Sequence, residues 1–338
     1  MRVAVLSPIA WRTPPRHYGP WEQVASNVAE GLTNLGLEVT LFGTGDSITA
    51  GELDAVIDTG YEEDRMQDAK VVECLHISNL MEKAGDFDII HNHFDFLPLT
   101  YSRLIKTPMV TTIHGFSSAK IIPVYKKYNS TSSYISISNS DRSPELEYVA
   151  TVYNGLRTSD FVFQNDPEDY LLFLGRIHPD KGTAEAIDIA KKSKRRLIIA
   201  GIIQDQAYFD EKVAPHLGEE IRFVGHVAPE QRNELLGNAA ALLHPIRFHE
   251  PFGLSVAEAM LCGTPVVAFD KGSMAELILS GKTGYLVNTV DEAVEALPEL
   301  DSISRTDCHQ WAKSQFSQEK MVQDYLKAYR LIIDPLSR

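Results

Sequence analysis

Residues 248–260 read FHEPFGLSVAEAM, and they join a predicted strand to a predicted helix. The apolar run at 242–244 precedes them, and a helical pattern runs from about Leu254 until Gly263 stops it. Glu250 is therefore expected in a loop at the carboxyl edge of a sheet. A strand–loop–helix unit of this kind is typical of α/β proteins with parallel sheets.

The same alternation of short β-branched runs and amphipathic stretches extends along the whole chain. Residues 154–168 interrupt it with Asn-Gly and Asp-Pro pairs and no helical period, which predicts a connector. Two doubly wound α/β domains fit this pattern better than one large sheet, and a cleft between them is the expected binding site. The predicted strands are 3–6, 39–42, 88–91, 109–113, 134–137, 151–153, 171–174, 196–200, 221–224, 241–244, 265–269 and 284–287.

We place the N-terminal domain at residues 1–157 and the C-terminal domain at 158–317. The segment 318–338 contains a last helix, expected at 318–332, which we predict to pack back onto the first domain. Its apolar residues at helical spacing indicate packing, and the alternative is docking on a membrane surface. The stripe consists of Met321, Tyr325, Ala328, Tyr329 and Ile332, and Lys120, Lys126 and Lys127 could join in membrane contact.

The first predicted helix carries Val24, Val28, Leu32 and Leu35 on one face and is closed by Gly36.

Composition excludes several classes of protein. The chain has 338 residues, of which 44% are hydrophobic and 23% charged, and a net charge of −14 without a basic block. A nucleic-acid partner is not expected, because phosphate neutralisation needs clustered positive charge. Cys74, Cys262 and Cys308 predict no disulfide framework or zinc site and are expected to be free, buried thiols. The absence of a signal peptide and of a long apolar window predicts a cytoplasmic protein with no transmembrane segment.

Two charged constellations stand out in the C-terminal half. Glu250 and Glu258 are eight positions apart, with Gly253 between them, where a missing side chain lets a ligand approach closely. Two carboxylates alone are compatible with a diol clamp, with hydrolysis, or with an ordinary surface pair. In FLGRIHPDKG, Arg176 and Lys181 follow a strand end, and two cations there suit a diphosphate or are simply solvated.

The N-terminal half offers weaker signals. His114 follows a predicted strand in TTIHGF, and Gly19 precedes the first helix in HYGPWEQV, where bare backbone could meet an anion. His91, His93 and Asp95 alternate along a strand end and could share a face, so a metal site is one interpretation. A single histidine at a strand end is more often structural.

Taken together, these motifs resemble family 4 retaining glycosyltransferases, which have the GT-B fold of two Rossmann-like domains. The resemblance covers nearly the whole chain. It rests on GR-x4-KG at 176–182, Glu250-x7-Glu258, GTPVVA and GKTGYLV, and on HYG-x-WEQV, DIIHNH, TTIHG, ISNSD and YNG in the family's order.

The resemblance implies that a nucleotide diphosphate sugar is bound mainly by the C-terminal domain, residues 158–317, and that the N-terminal domain, residues 1–157, binds the acceptor. Arg176 and Lys181 would grip the diphosphate and stabilise the leaving group. Glu258 would hold the ribose hydroxyls, and Val227 would meet the base through its backbone.

The resemblance also implies contacts to the transferred sugar. Glu250 would bind its hydroxyls, and His114 would contact it near the anomeric centre. Backbone amides near the sugar and phosphate would come from Phe252, Gly253 and Leu254.

Gly19 would leave room for a phosphate or an acceptor. The family often has a second glycine after it, and this chain has Pro20, which lacks an amide hydrogen but suits the first position of a helix. This departure leaves the acceptor class open.

The implied activity is retaining transfer of a hexose to an acceptor hydroxyl. A UDP-sugar is the favoured donor, and neither a metal ion nor a cofactor is expected. The acceptor would be a glycan, a lipid-linked molecule or a small molecule, in glycan, glycolipid or cell-envelope polysaccharide synthesis. The main alternative is a catalytically inactive GT-B protein that only binds nucleotide sugar, and an isomerase or phosphorylase on the same fold fits less well. The sequence does not set the oligomeric state.

Overall fold

The computed structural model describes residues 1–116 and 118–334, which form two compact units. One comprises residues 1–155 and the segment that begins at Gln318, and the other comprises Leu156–Ser317. Of the predicted final segment 318–338, residues 335–338 lie outside the described part of the chain.

The first unit is built on a parallel sheet of seven strands in the order β3-β2-β1-β4-β5-β6-β7. Such a sheet arises because each strand is followed by a crossover that returns the chain to the same edge. Its strands are β1 (Arg2–Leu6), β2 (Glu38–Gly43), β3 (Glu52–Ala55), β4 (Ile89–Asn92), β5 (Met109–Ile113), β6 (Ser133–Ser136) and β7 (Ala150–Thr151). Its helices are α1 (Pro20–Asn34), α2 (Ala69–Glu82), α3 (Ile122–Tyr128) and α11 (Gln318–Ile333).

The side-chain alternation of β1 divides the core of this unit into two layers. Val3 and Val5 join a cluster with residues of α1 and α11, whereas Ala4 and Leu6 join a cluster with residues of α2 and α3. Successive side chains of a strand point to opposite faces, so a fully apolar strand needs cover on both sides.

The apolar stripe of α11 is buried within the first unit. Met321, Tyr325, Ala328 and Tyr329 belong to the same cluster as Val28 of α1. Ile332 is partly buried against this cluster. The stripe therefore packs against the sheet and α1, which leaves it unable to face a membrane surface.

The second unit contains a parallel sheet of six strands in the order β10-β9-β8-β11-β12-β13. This is the doubly wound order in which the chain starts in the middle and reverses direction once. Its strands are β8 (Leu171–Leu174), β9 (Leu197–Ala200), β10 (Ile221–Gly225), β11 (Ala241–His244), β12 (Val266–Phe269) and β13 (Gly284–Val287). Its helices are α4 (Thr183–Ser193), α5 (Gln206–Tyr208), α6 (Pro229–Asn238), α7 (Leu254–Leu261), α8 (Met274–Leu277), α9 (Val290–Ala296) and α10 (Arg305–Phe316).

The predicted class of two doubly wound α/β domains is confirmed, and Pro20 begins α1 as expected. Three details of the sequence interpretation were wrong. Leu35 caps the end of α1 and is 51% exposed, because the helix stops at Asn34 before Leu35 can reach the core. The strand expected at 151–153 is Ala150–Thr151. Cys74 is exposed, whereas Cys262 and Cys308 are buried; all three are free.

Three elements of the first unit were not predicted: β3, α2 and α3. The strand β3 is short, acidic and mostly exposed, so it shows little of the apolar pattern that identifies strands.

Among the described residues, no helix combines the length and the apolar character needed to span a bilayer.

Candidate active site

The second unit has a topological switch point between β8 and β11. These neighbouring strands are parallel, so the loops that follow them, at 175–182 and 245–253, both emerge at the carboxyl edge of the sheet. The chain continues from β8 to one side of the sheet and from β11 to the other. In open α/β sheets, the crevice that opens at this point is the usual place for a ligand. Both charged constellations of the C-terminal half lie in these loops or directly after them.

Gly182 lets the two loops approach closely. Its backbone has φ of 76°, and a Cβ atom placed there would lie 1.9 Å from the carbonyl oxygen of Pro245. No real side chain tolerates such a distance, and the left-handed conformation itself disfavours other residues. The glycine that follows Lys181 is therefore a steric requirement of this loop crossing.

Lys181 and Glu250 form an ion pair across the switch point. Their Nζ and Oε2 atoms are 2.6 Å apart, and both side chains are largely buried. The Lys181 ammonium also lies 4.5 Å from the ring centre of Phe248, in a cation–π contact. The pair therefore places one cation and one hydrogen-bond acceptor where the two loops meet.

His244, the last residue of β11, lies beside this pair. Its Nε2 atom is 3.9 Å from Oε2 of Glu250, and it is buried without a hydrogen-bond partner in the described structure. Burial, together with the nearby charge of Lys181, lowers the pKa of His244 to about 3. His244 is thus a neutral imidazole at pH 7, with one ring nitrogen available to a ligand.

The backbone of Glu250 is held by the turn before α8. Its carbonyl oxygen accepts a hydrogen bond of 3.0 Å from the amide of Ser273. Gly272 packs so closely that a Cβ atom there would lie 2.2 Å from the same oxygen. The hydroxyl of Ser273 donates to the carbonyl of Phe252 at 2.6 Å, so the loop that carries Glu250 is fixed at two points.

The helix α7 begins directly after this loop. Gly253 precedes it with φ of 92°, and the first amides of the helix, from Leu254 onward, face the loop end. An N-terminus of this kind attracts anions. Phe252 is buried, and its ring packs edge-on against Phe316 at 5.7 Å between ring centres.

Glu258 lies one turn into α7 and is buried. Its Oε1 atom is 3.3 Å from Nη1 of Arg232, on α6. Burial raises the pKa of Glu258 and outweighs the opposing charge of Arg232. A carboxylate has several acceptor sites, and one arginine does not fill them, so Glu258 can accept further hydrogen bonds.

Arg176 and Val227 lie at the same carboxyl edge of the sheet. Arg176 follows β8, and its guanidinium donates a hydrogen bond to the side-chain oxygen of Gln204. Val227 follows β10 after Gly225 and is buried. The structure thus brings the predicted residues of the second unit to one edge of one sheet, with Lys181 and Glu250 in direct contact.

Within the first unit, His114 belongs to a buried group of histidines. Its Nε2 atom is 2.9 Å from Nδ1 of His93, and its ring stacks on Trp21 at 5.6 Å between centres. Burial lowers the pKa of His114 to about 3. Burial, together with the neighbouring His114, also lowers the pKa of His91 to about 3.

His91 is held by hydrogen bonds to Thr112 at 2.7 Å and to the hydroxyl of Tyr329 at 2.6 Å. Its ring centre lies 4.0 Å from that of His93. The HNHFD stretch thus supplies packing and hydrogen bonds in this unit. No group of three His, Cys, Asp or Glu side chains within residues 1–116 and 118–334 is arranged to hold a metal ion.

Gly19 caps the start of α1 with φ of 152°. A Cβ atom there would lie 2.9 Å from Oε2 of Glu22 and from Cβ of Pro15. The space beside Gly19 is therefore occupied by the buried carboxyl of Glu22.

Four side chains at these two edges were not singled out from the sequence: Glu22, Gln204, Arg232 and His244. Only His244 carried a usable signal, since it ends the apolar run ALLH that leads into the FHEPFG loop. The others come from helices and loops whose approach to the sites depends on tertiary packing.

A family profile described as "Glycosyl transferases group 1" matches residues 158–331, more than half of the chain. The chain belongs to this family. The match covers nearly all of the second unit and most of α11, and it includes the switch point with Lys181, Glu250 and Glu258.

Known proteins similar to this chain agree with the family. Glycogen synthase of Mycobacterium tuberculosis is 27% identical over 232 residues, which are 58% of this chain. The aligned part spans only 55% of that relative's length.

Solved structures share the fold. The crystal structure of AviGT4, a glycosyltransferase involved in avilamycin A biosynthesis, has a TM-score of 0.74 and 24% identity over 98% of both chains. The structure of Anabaena HepE in complex with UDP and glucose has a TM-score of 0.72 and 17% identity, covering 97% of this chain and 98% of that one. The two Rossmann-like units thus have the GT-B fold of these solved structures.

Proposed function

We propose that this glycosyltransferase moves a hexose from UDP-hexose to an acceptor hydroxyl with retention of configuration and without a metal ion. The observation that carries the proposal is the ion pair of Lys181 and Glu250 beneath the N-terminus of α7. The pair brings a cation and a carboxylate close to helix amides at the switch point of the second sheet. This sheet lies in the part of the chain that the glycosyltransferase family profile matches.

The charges that develop during the reaction explain the roles of the cations. Cleavage of the bond between sugar and diphosphate produces an oxocarbenium-like sugar and a diphosphate anion. Arg176, Lys181 and the amides at Leu254 stabilise the anion where its charge grows. Each such group is worth on the order of 10²–10³ in rate. Protein cations would supply this stabilisation, so we expect turnover to survive chelation of divalent metals.

The carboxylates hold the two sugar parts of the donor. Glu250 accepts hydrogen bonds from hydroxyls of the hexose, beside His244, whose free Nε2 atom is a further hydrogen-bonding group. Glu258 accepts both ribose hydroxyls, in competition with Arg232. The backbone at Val227 meets the base.

The proposed mechanism needs no enzyme nucleophile. The acceptor attacks on the face from which the diphosphate leaves, and the departing phosphate oxygen takes the acceptor's proton. A bond forms from the acceptor oxygen to the anomeric carbon as the bond to the diphosphate oxygen breaks. In this scheme neither Glu250 nor Glu258 acts as general acid or base.

Support for UDP-hexose comes from HepE, whose structure holds UDP and glucose. Glycogen synthase supports a hexose as the transferred group. The acceptor is a glycan, a lipid-linked molecule or a small molecule, in glycan, glycolipid or envelope polysaccharide synthesis.

The deciding experiment follows UDP release from UDP-glucose, UDP-galactose and UDP-N-acetylglucosamine, with and without saccharide acceptors and with and without EDTA. UDP should be released from one of these donors at a rate that EDTA does not change. NMR of the product should show the donor's anomeric configuration. Inversion of configuration would refute the retaining mechanism. Binding of a UDP-sugar, seen as a rise in melting temperature, with no UDP release and no product from any acceptor would instead favour the inactive binding protein.

A further inference from the structure

A cavity of about 530 Å³ opens in the first unit at its own topological switch point. Its wall comes from the loop after β1, the start of α1, Tyr61, α2 and the loop after β4. The volume lies in the range of small-molecule sites. None of the residues discussed as donor-binding in the second unit contributes to it.

Three carboxyl side chains line this cavity: Glu22, Glu73 and Asp95. No Lys, Arg or His is among its described lining residues. Glu22 is only 4% exposed and forms no ion pair with any described residue. Backbone amides of Trp11 and of Glu22 itself donate to its carboxyl group. Burying an acid without a cation partner is costly, and such an acid at the wall of a cavity is a candidate for ligand binding.

The other two carboxyls are oriented by tyrosines. Tyr61 donates to Oε1 of Glu73 at 3.2 Å, and Tyr125 donates to Oδ1 of Asp95. Each carboxylate has two oxygens with several acceptor sites, so a single tyrosine leaves most of that capacity unused. Burial raises the pKa of Glu73, and it raises that of Asp95 to about 6.

Aromatic rings complete the wall, among them Trp11, Tyr18 and Trp21. Trp21 is held in place by its stack on His114. Flat apolar faces next to hydrogen-bond acceptors match a sugar ring, which presents C–H groups on its faces and hydroxyls at its rim. The acids make the same space hostile to a phosphate or a carboxylate.

The resemblance to GT-B glycosyltransferases already implies that the acceptor binds this unit, and we propose that the part of it seated in this cavity is a saccharide ring bearing hydroxyl or amino groups and no anionic group. The proposal rests on the proposed function, because it assigns a role within glycosyl transfer. It excludes acceptors whose phosphate enters this cavity, including the headgroup of a phospholipid.

Tryptophan fluorescence tests the proposal directly in the full chain. The chain has three tryptophans, and Trp11 and Trp21 line the cavity, whereas Trp311 lies in the second unit. In a Trp311→Phe background, the signal comes only from the two tryptophans of the cavity wall, and the Glu22 and Glu73 variants assign a change to the cavity. The probes are glucose, glucosamine, N-acetylglucosamine and glucose 6-phosphate, each titrated in the presence of saturating UDP.

At least one uncharged or amino sugar should give a saturable change, with glucose 6-phosphate weaker by about tenfold or more. At pH 8, above the raised pKa of Glu22, Glu22→Gln and Glu73→Gln should each weaken the sugar's binding by about tenfold, since each removes a charge-assisted acceptor. Glu82→Gln, on the exposed side of α2, is the matched control and should bind like the parent. Glu73 is only half-buried, so its variant tests the same cavity independently of Glu22.

The proposal is overturned if glucose 6-phosphate binds as tightly as the best uncharged sugar, if no sugar changes the signal, or if both variants bind like the control. These outcomes are separable from failure of the proposed function. The fluorescence assay needs no donor turnover, and UDP release from UDP-glucose is measured independently on the same samples.

Discussion

The ammonium of Lys181 lies 2.6 Å from Oε2 of Glu250, although 69 residues separate them in the chain. The side chains are 16% and 12% exposed, respectively, so the charges compensate each other with little help from water. In the proposed reaction, a diphosphate would compete with Glu250 for this lysine.

We expect Lys181→Met to lower turnover by about 10²–10³-fold, because the growing charge on the leaving group loses a cation. The single variant should also be less stable, since it leaves the Glu250 carboxylate without its partner. Adding Glu250→Gln should restore the melting temperature and leave turnover low. UDP release and thermal denaturation measure the two effects.

Lys282→Met removes an exposed lysine of the same unit and serves as the control for this series. Wild-type turnover in Lys181→Met would contradict the assignment of this residue to the diphosphate.

Glu258→Gln is expected to weaken binding of UDP by about tenfold or more, because a carboxylate accepts ribose hydroxyls more strongly than an amide does. Calorimetric titration with UDP alone measures this without any acceptor. Glu295→Gln, exposed on α9, is the control. An unchanged affinity in Glu258→Gln would show that the Glu258–Arg232 pair is purely structural.

Gly182→Ala should destabilise the protein by at least about 2 kcal/mol and abolish turnover, since it combines a left-handed backbone with a clash against Pro245. Gly218→Ala is the matched control in the same unit, because nothing lies within 4 Å of a Cβ atom at that position. Urea denaturation compares the two. Equal stability of both variants would mean that the loops at the switch point are not tightly apposed.

Glu22 makes the stability of the first unit depend on pH in a defined direction. Burial raises the pKa of its carboxyl from 4.5 to about 7. The folded state therefore holds its proton more tightly than the unfolded state, and the stability present below pH 4.5 is lost as the pH rises through 7. Each pH unit between the two pKa values lowers the free energy of unfolding by about 1.4 kcal/mol.

Glu22→Gln lacks this penalty, so its advantage over the wild type should grow by up to about 3 kcal/mol between pH 4.5 and pH 8. Urea denaturation at both pH values measures the difference. Glu82→Gln should give the same difference from the wild type at both. If Glu22→Gln also does so, Glu22 is not desolvated.

Several site features follow from local sequence alone. The apolar run ALLH, the glycines at 253 and 263 and the helical pattern between them place Glu250 in a loop and Glu258 one turn into a helix. Local rules suffice here because strand, loop and helix are consecutive, and each is specified by side chains within a few positions. The same rules failed for β3, whose acidic exposed residues leave no apolar pattern to read.

Contacts between distant segments did not follow in this way. That Glu22 meets the cavity beside α2, or that His244 is left with an unpartnered nitrogen next to Lys181, depends on which strands become neighbours. Periodicity identifies a strand but carries no information about the order of strands in a sheet.

The sequence by itself determined the alternation of strands and helices, the glycines that permit tight loops, and the charged residues placed at strand ends. These depend on backbone stereochemistry and on the burial of apolar faces, which act over short stretches of chain. Only the tertiary structure decided that Lys181 pairs with Glu250, that Arg232 faces Glu258, and that α11 returns to cover the first sheet. Those outcomes arise when parallel strands assemble in one order, because assembly brings side chains from remote positions together and removes the water that would otherwise screen their charges.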